Sequence, residues 1–363
     1  MKCVVFAEFS TTGGTRSFLK DLLTIHEKHN ISTEVVFPKS ASDNDIINYI
    51  ESKNFSYITV PDRKPIFKKS YFSLIYELYY YYSIIAKVQP DLIVVSTATP
   101  GENIFCFLSD VPSVYILHTP VNPTTFINSI MLKIPTLYSG ARRQIYAVSE
   151  FVKQSVVKHW NIKDQDVNVI YNSYRLNNSM VNSPAKPKVV LTLGHVIGYK
   201  NPSLWLEIAQ GVTEAVEDVE FLWLGDGDML CHFQEITKDS ERINFVGHKN
   251  NVGAYYQTAY LYLQPSLKES LGISVLDAMS LGIPTIVSRA EGLPETTEHG
   301  VSGYICETNE ITEYIEYIRT LLQDDDLRKR MGANAKKRTG FSFSPQVQEE
   351  KIIDLYRSVT GAV

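Results

Sequence analysis

Short runs of β-branched and aliphatic residues alternate with amphipathic stretches along nearly the whole chain. Val4-Val5-Phe6, Glu34-Val35-Val36-Phe37, Asp91-Leu92-Ile93-Val94-Val95 and Ser113-Val114-Tyr115-Ile116-Leu117 read as strands, as do Gln144-Ile145-Tyr146-Ala147-Val148 and Val167-Asn168-Val169-Ile170. Most of these runs are continuously apolar, which marks strands buried on both faces, as in a parallel sheet covered by helices. A helix is predicted over residues 15–29. Residues 171–188 break the pattern, being polar, aperiodic and interrupted by Pro184 and Pro187, and read as a linker. The strand pattern resumes at Val189-Val190-Leu191-Thr192-Leu193, then Val219-Glu220-Phe221-Leu222-Trp223-Leu224 and Ile243-Asn244-Phe245-Val246. A final amphipathic helix is predicted over 345–359, with Ile352, Ile353, Leu355, Tyr356 and Val359 on its apolar face. The predicted fold class is α/β: two Rossmann-like, doubly wound parallel-sheet domains facing a cleft, with ligands at the carboxyl ends of the strands. The domains are expected over 1–175 and 188–342, with 343–363 a separate C-terminal segment.

The densest chemistry lies in residues 261–303. Leu261 to Leu263 reads as a strand entering a turn at Pro265-Ser266. Ser270 can cap a helix whose spacing runs from Gly272 to Leu281, ended by Gly282 and Pro284. Pro284-Thr285-Ile286-Val287-Ser288 then reads as a buried strand. A loop-to-helix entry of this kind aims free N–H groups and the positive helix end at one place, which suits a phosphate. Glu269 and Asp277 would stand beside that place. Carboxylates do not bind phosphate, but they do accept from sugar or ribose hydroxyls, so the combination points to a nucleotide sugar.

Composition narrows the setting. A chain of 363 residues has room for two cores, and 44% hydrophobic with 21% charged residues is the balance of a soluble globular protein. Cys3, Cys106, Cys231 and Cys306 are far apart, without metal-ligand spacing; a reducing, cytoplasmic setting without structural zinc is expected. The first residues read as a strand rather than a signal peptide, and no run reaches the ~18 apolar residues of a membrane span. A net charge of −5 argues against a general nucleic-acid binder. The slight positive excess before residue 172 is too small to identify an anionic acceptor.

P-S-x-x-E-S-L-G-I-x-x-L-D-A-M-x-x-G-I-P, residues 265–284, resembles the donor-site signature of the family-4 retaining glycosyltransferases, which have the GT-B fold. The resemblance implies that Glu269 contacts the transferred sugar, that backbone at Gly272, Ile273 and Ser274 meets the donor diphosphate, and that Asp277 stands where the family has a ribose-binding Glu. Gly194-His195-Val196-Ile197-Gly198-Tyr199-Lys200-Asn201 resembles the family segment whose Lys, here Lys200, neutralises the leaving diphosphate. His195 replaces the family's Arg, and an imidazole with its ordinary pKa near 6.5 is mostly neutral at pH 7. Gly13-Gly14 matches the family's N-terminal glycine loop, Gly247 and His248 fall near the nucleobase, and His118 follows a strand where several relatives contact the sugar. Arg16 and Lys20 are candidate contacts for an acceptor phosphate. Asp226 and Asp228 form a literal D-x-D, but that spacing recurs at Asp43/Asp45, Asp164/Asp166 and Asp324/Asp326, so no catalytic metal is expected. Glu291-Gly292-Leu293-Pro294-Glu295 resembles the loop and helix start where relatives use nearby groups to close the donor site, and both acids equally read as charges favourable to a helix start.

The resemblance implies a retaining, metal-independent glycosyltransferase. It would move a sugar from a UDP- or GDP-sugar to a hydroxyl of a saccharide or lipid-linked acceptor, in cell-envelope or surface polysaccharide or glycolipid synthesis. The C-terminal helix would cross back to the N-terminal domain, and no cofactor is expected. The alternatives are a non-catalytic binding subunit and a nucleotide-sugar epimerase of the same fold. Residues 63–87, with Arg63, Lys64, Lys68, Lys69 and many tyrosines, form a basic, aromatic stretch suited either to a membrane surface or to burial. The expected location is cytoplasmic, peripheral at the inner face of the membrane.

Overall fold

The computed structural model describes residues 1–8, 13–41, 43–62, 71–98, 103–121, 140, 142–176 and 187–361, with backbone alone for 71–76, 104 and 107. The chain divides into two compact units, Met1–Tyr171 with Glu349–Val363, and Asn172–Gln348.

The first unit holds a seven-stranded, wholly parallel sheet of order β3-β2-β1-β4-β5-β6-β7. Its strands are β1 (Lys2–Glu8), β2 (Ser32–Pro38), β3 (Ser56–Val60), β4 (Leu92–Thr97), β5 (Ser113–Leu117), β6 (Arg143–Ala147) and β7 (Val167–Val169). Val4, Val5, Leu92 to Val95 and Val114 to Leu117 are fully buried, because helices cover both faces. Strand order reverses between β1 and β4, which opens a crevice at their carboxyl ends.

Helix α1 (Gly14–Lys28) buries Phe18, Leu19, Leu22 and Leu23. It also buries His26, whose hydrogen bonding can be assigned. The Thr33 hydroxyl donates to the Ile31 carbonyl at 3.1 Å, so His26 Nδ1–H donates to Thr33 Oγ1 at 2.8 Å. Nε2 then accepts from the Tyr356 hydroxyl at 2.9 Å. Burial pushes the imidazole pKa down to about 3.

Helix α2 (Asn44–Ser52) starts at Asp43, whose carboxylate accepts the Ile46 N–H at 3.0 Å. Helix α3 (Tyr71–Val88) includes part of the basic, aromatic stretch; residues 63–70 lie outside the described residues. Tyr81 is buried and stacks on Phe6 with ring centroids 4.4 Å apart, and Ile84 and Val88 join the core, while Tyr79 and Tyr82 face solvent. The described part of α3 is therefore a core helix with an exposed tyrosine edge. Among the described residues no helix is long and apolar enough to cross a membrane.

The second unit holds a six-stranded parallel sheet of order β10-β9-β8-β11-β12-β13. The strands are β8 (Lys188–Leu193), β9 (Val219–Leu224), β10 (Ile243–Gly247), β11 (Ala259–Gln264), β12 (Thr285–Ser288) and β13 (Gly303–Cys306). Trp205, Trp223, Phe221 and Phe245 pack edge-to-face and stacked in one core beneath it. Its order reverses between β8 and β11.

The last helix, Pro345–Thr360, begins in the second unit, but from Glu349 onward it belongs to the first. Ile352, Leu355, Tyr356 and Val359 are part of the first unit's core, and Glu349 pairs with Lys28 and His29 at the end of α1. The domain limits thus differ from the sequence expectation at both junctions. Residues 172–176 pack with the second unit, because the Tyr174 N–H donates to the Phe343 carbonyl at 3.1 Å.

Candidate functional site

In the second unit the loops that follow β8 and β11 flank the reversal point. After β8, the chain passes Gly194 and His195 into one turn of 3₁₀ helix, Gly198–Lys200, before α4 (Pro202–Ala215). After β11 it passes Glu269 and enters α5 (Ile273–Ser280). The Leu267 N–H donates to the Tyr199 carbonyl at 2.7 Å, tying the two loops together. Through that tie Lys200 Nζ forms an ion pair with the Glu269 carboxylate, both side chains being largely covered. An amine and a carboxylate separated by 69 positions in sequence are thus held together beside the start of α5.

That start needs no side-chain cap. Gly272 holds the N-cap position with φ 97°, and its carbonyl accepts the Val275 and Leu276 N–H groups. The positive φ favours glycine, and a side chain there would also press on Leu293 Cδ2 at 2.7 Å. Ser270, expected as the cap, makes no capping bond. The first-turn N–H groups, at Ile273 and Ser274, lack partners within the helix and carry the positive end of its dipole. A lysine, a carboxylate and a helix start therefore converge, an arrangement able to hold an anion and a hydroxyl together.

Beneath the site lies a polar network that the sequence does not reveal. Tyr262 Oη bonds the Leu193 N–H and carbonyl and the Gln264 side chain, each at 3.1 Å. Gln264 Nε2 donates to Ser266 Oγ at 2.7 Å, and Ser288 Oγ donates to the Ser266 carbonyl at 2.5 Å. The network joins β8, β11 and β12 immediately below the loops. Only its burial on a strand predicted to be apolar could have drawn notice.

His195 projects from the loop after β8, with Nδ1 3.2 Å from the Asp226 carbonyl oxygen. That oxygen can only accept, so Nδ1 bears the proton. The same carbonyl accepts the Val196 N–H at 2.8 Å, and the Asp226 and Asp228 residues are both exposed. The literal D-x-D is a turn that closes against the loop after β8. Gly247 ends β10 and its carbonyl accepts the Gly225 N–H at 3.1 Å, while His248 is exposed and 3.2 Å from Asn250 Oδ1.

Asp277, expected beside a ribose, bonds backbone of its own unit. It is 5% exposed, and its Oδ1 accepts the Arg175 N–H at 2.6 Å, with the Arg175 guanidinium 3.9 Å from Oδ2. The Leu176 N–H also bonds it, and burial raises its pKa against the opposing pull of Arg175. Residues 174–176 cover the second turn of α5, and the short aspartate side chain bonds their backbone. Asp277→Ala is expected to lower stability by about 1–3 kcal/mol by leaving buried N–H groups unpaired, with Asp277→Asn losing less. Urea unfolding of the two variants checks this; equal midpoints for Asp277→Ala and the parent would refute it.

In the first unit, His118 follows β5 at the same edge as Gly13 and Gly14. It is 5% exposed, with Nε2 3.0 Å from Ser96 Oγ and its ring 4.7 Å from that of Phe18. Nδ1 has no partner among the described residues, and burial pushes the pKa down to about 3. Thr97 Oγ1 donates to Glu8 at 2.6 Å, so Glu8, Ser96, Thr97 and His118 gather at the carboxyl ends of β1, β4 and β5. Sequence motifs point to only His118 among them.

Arg16 and Lys20, expected as contacts for an acceptor phosphate, pair with carboxylates of the first unit. Arg16 is buried and donates to both oxygens of Asp43 and to Asp45, while Lys20 donates to Asp45 at 2.7 Å. The Arg16 hydrogen bond holds the Asp43 carboxyl down at about 2. This charge cluster fixes α1 to the start of α2.

Solved structures with the same course over the whole chain define the class. A glycosyltransferase from Rickettsia africae superposes with a TM-score of 0.84 at 14% identity, covering 100% of this chain and 99% of its own. HepE of Anabaena in complex with UDP superposes with a TM-score of 0.81 at 18% identity, covering 99% and 100%. The protein has the GT-B fold.

Two adjoining family models match the sequence, Glycosyltransferase Family 4 over residues 12–177 and Glycosyl transferases group 1 over residues 176–338. The chain belongs to the family-4 glycosyltransferases. Among curated relatives, N-acetyl-alpha-D-glucosaminyl L-malate synthase of Bacillus anthracis is 31% identical over 170 residues, 46% of this chain and 44% of that protein. A UDP-Gal:alpha-D-GlcNAc-diphosphoundecaprenol alpha-1,3-galactosyltransferase of Escherichia coli is 26% identical over 174 residues, 46% and 45%. The matched region spans about half the length of the first curated relatives.

Proposed function

We propose that the protein is a retaining glycosyltransferase that moves a sugar from a nucleoside-diphosphate sugar to an acceptor hydroxyl. The observation that carries this reading is the Lys200–Glu269 pair beside the uncapped start of α5. Lys200 Nζ and the Ile273 and Ser274 N–H groups would take the diphosphate, whose charge grows as the bond from the sugar C1 to phosphate oxygen breaks. Glu269 would accept from a sugar hydroxyl and hold Lys200 in place. The acceptor oxygen would bond to C1 on the face that the diphosphate leaves, passing its proton to the departing phosphate oxygen. No protein base is then needed, which accords with an imidazole at His118 that burial keeps neutral. His118 would contact the sugar or acceptor as an uncharged group.

HepE was solved with UDP and with UDP-glucose, and the Escherichia coli relative is named for a lipid-linked diphosphate acceptor. These support a uridine nucleotide and a saccharide or lipid-linked acceptor, in envelope or surface glycan synthesis at the cytoplasmic face of a membrane. The second reading, a non-catalytic subunit, draws on His195 in place of arginine and on Asp277 being covered.

The two readings separate in a panel of UDP-, GDP- and ADP-sugars assayed with EDTA present. Saturable binding of one donor, with slow release of its nucleotide diphosphate unaffected by the chelator, is expected. Binding of no donor and no free nucleotide would favour the non-catalytic reading, and turnover that EDTA abolishes would overturn metal independence.

A further inference from the structure

The residue that sets the backbone of Glu269 is itself in an unusual state. Glu291 has φ 48°, the left-handed region that a side chain other than Gly, Asn or Asp seldom enters. Its carboxylate is partly covered, yet Oε2 accepts the Glu269 N–H at 2.8 Å. The next residue completes the clamp: the Gly292 N–H donates to the Glu269 carbonyl at 2.8 Å. A Cβ on Gly292 would lie 2.0 Å from the Ser270 carbonyl, so the two loops are in direct backbone contact. Leu293 then packs under Gly272 at the start of α5.

Both features of Glu291 are costly. A left-handed backbone disfavours any residue with a Cβ, and glycine would remove that strain. A half-buried carboxylate gives up hydration, and here burial raises its pKa, opposed by the Glu269 N–H bond and the Lys268 charge, with the Glu269 charge adding a smaller push upward. Strain and desolvation concentrated at one residue, directly behind a site, are the mark of a group held for what it positions.

We infer that Glu291 is a positioning residue: by accepting the Glu269 N–H it fixes the loop that presents Glu269 to Lys200 and leads into α5. The inference rests on reading Glu269, Lys200 and the start of α5 as the donor site. Of the two sequence readings of Glu291, a loop near the donor site and a charge serving a helix dipole, it develops the first and sets aside the second. The short helix that follows spans Leu293–Thr296 and has Glu295, not Glu291, in its first turn.

The test compares Glu291→Gly, which removes the acceptor and relieves the backbone, with Glu291→Gln, which keeps an acceptor oxygen at the same reach. Glu291→Gly is expected to match the parent in thermal midpoint or exceed it, since the strain is gone. Hydrogen–deuterium exchange of the Glu269 amide, followed on the full chain without ligand, is expected to speed up at least about tenfold in Glu291→Gly. Glu291→Gln should stay within about threefold of the parent; these factors are order-of-magnitude expectations for one lost or kept hydrogen bond.

Titration with UDP, GDP and ADP then reads the site: the nucleotide that binds the parent should bind Glu291→Gly at least about threefold more weakly and Glu291→Gln normally. Unchanged amide exchange in Glu291→Gly overturns the inference. So does faster exchange with undiminished nucleotide affinity, which would make the bond structural only, or a glutamine variant as impaired as the glycine one. Should no nucleotide bind the parent, the donor-site reading fails with it, while the exchange data still report whether Glu291 holds the Glu269 loop.

Discussion

Replacing Lys200 by methionine is expected to cut sugar transfer by about two to three orders of magnitude while the protein stays folded. Methionine keeps most of the apolar stem and removes the charge. The loss should fall mainly on kcat, because the cation matters most as charge collects on the departing diphosphate. Glu269→Gln is expected to lose activity on a similar scale. Gln keeps an oxygen for a sugar hydroxyl but no longer holds Lys200 by charge.

Since the two side chains form one ion pair, their effects should not add. The double variant is expected to be little worse than the more damaging single one. Removing either partner leaves a covered charge unpaired, which costs stability, so circular dichroism and a melting curve must accompany the rates. Full turnover in either single variant would sink the proposed reaction, and strict additivity would show that the pair does not act as a unit.

Acid is expected to unfold the first unit before the second. Its two buried imidazoles, His26 and His118, have their folded-state pKa pushed down to about 3 by burial, whereas an unfolded chain takes up those protons near pH 6.5. A depressed folded pKa contributes stability that is fully present above the unfolded value and lost as pH falls through the window from about 6.5 to about 3. Each site then contributes a slope of about 1.4 kcal/mol per pH unit below pH 6.5. Two such sites remove about 4 kcal/mol by pH 5, a large share of the ~5–15 kcal/mol that holds a typical domain.

The carboxylates add to this only at lower pH. The Arg16 hydrogen bond holds Asp43 at about 2 in the folded state, and the Lys329 and Arg328 hydrogen bonds hold Asp325 well below the usual carboxylate range. Denaturant unfolding between pH 7 and 5 checks the prediction, with fluorescence of Trp160 for the first unit and of Trp205 and Trp223 for the second. His26→Gln should roughly halve the slope. A first unit equally stable at pH 7 and pH 5 would refute it. Because His26 also bonds Tyr356, the C-terminal helix is expected to loosen in the same transition.

How much of this is legible in the sequence depends on range. The strands stand out because parallel strands buried on both faces must be continuously apolar, as the fully buried run from Val114 to Leu117 is. The spacing places helix α5 within one residue of its observed limits, since Gly272 and Gly282 bracket it chemically. Lys200 and Glu269 are each legible from local motif, and the fold brings them together. What cannot be read locally is commitment.

Arg16 and Lys20 look like free cations on a helix face, and only folding brings Asp43 and Asp45 against them. Asp277 looks like an outward carboxylate until residues 174–176 lie across it. Glu291 looks like a helix-start acid until β12 delivers it behind Glu269.

By itself, then, the sequence determined two doubly wound parallel sheets, the helix entry at Gly272 and the identity of the lysine and glutamate beside it. Those follow from short-range periodicity and from the few residues able to adopt a given turn. The tertiary structure alone decided which charges are already neutralised, which side chains support the Glu269 loop, and which residues of the final helix enter the first unit's core. A charged group's partner and a helix's neighbour are set by contacts between residues far apart in sequence, and spacing along the chain carries no record of them.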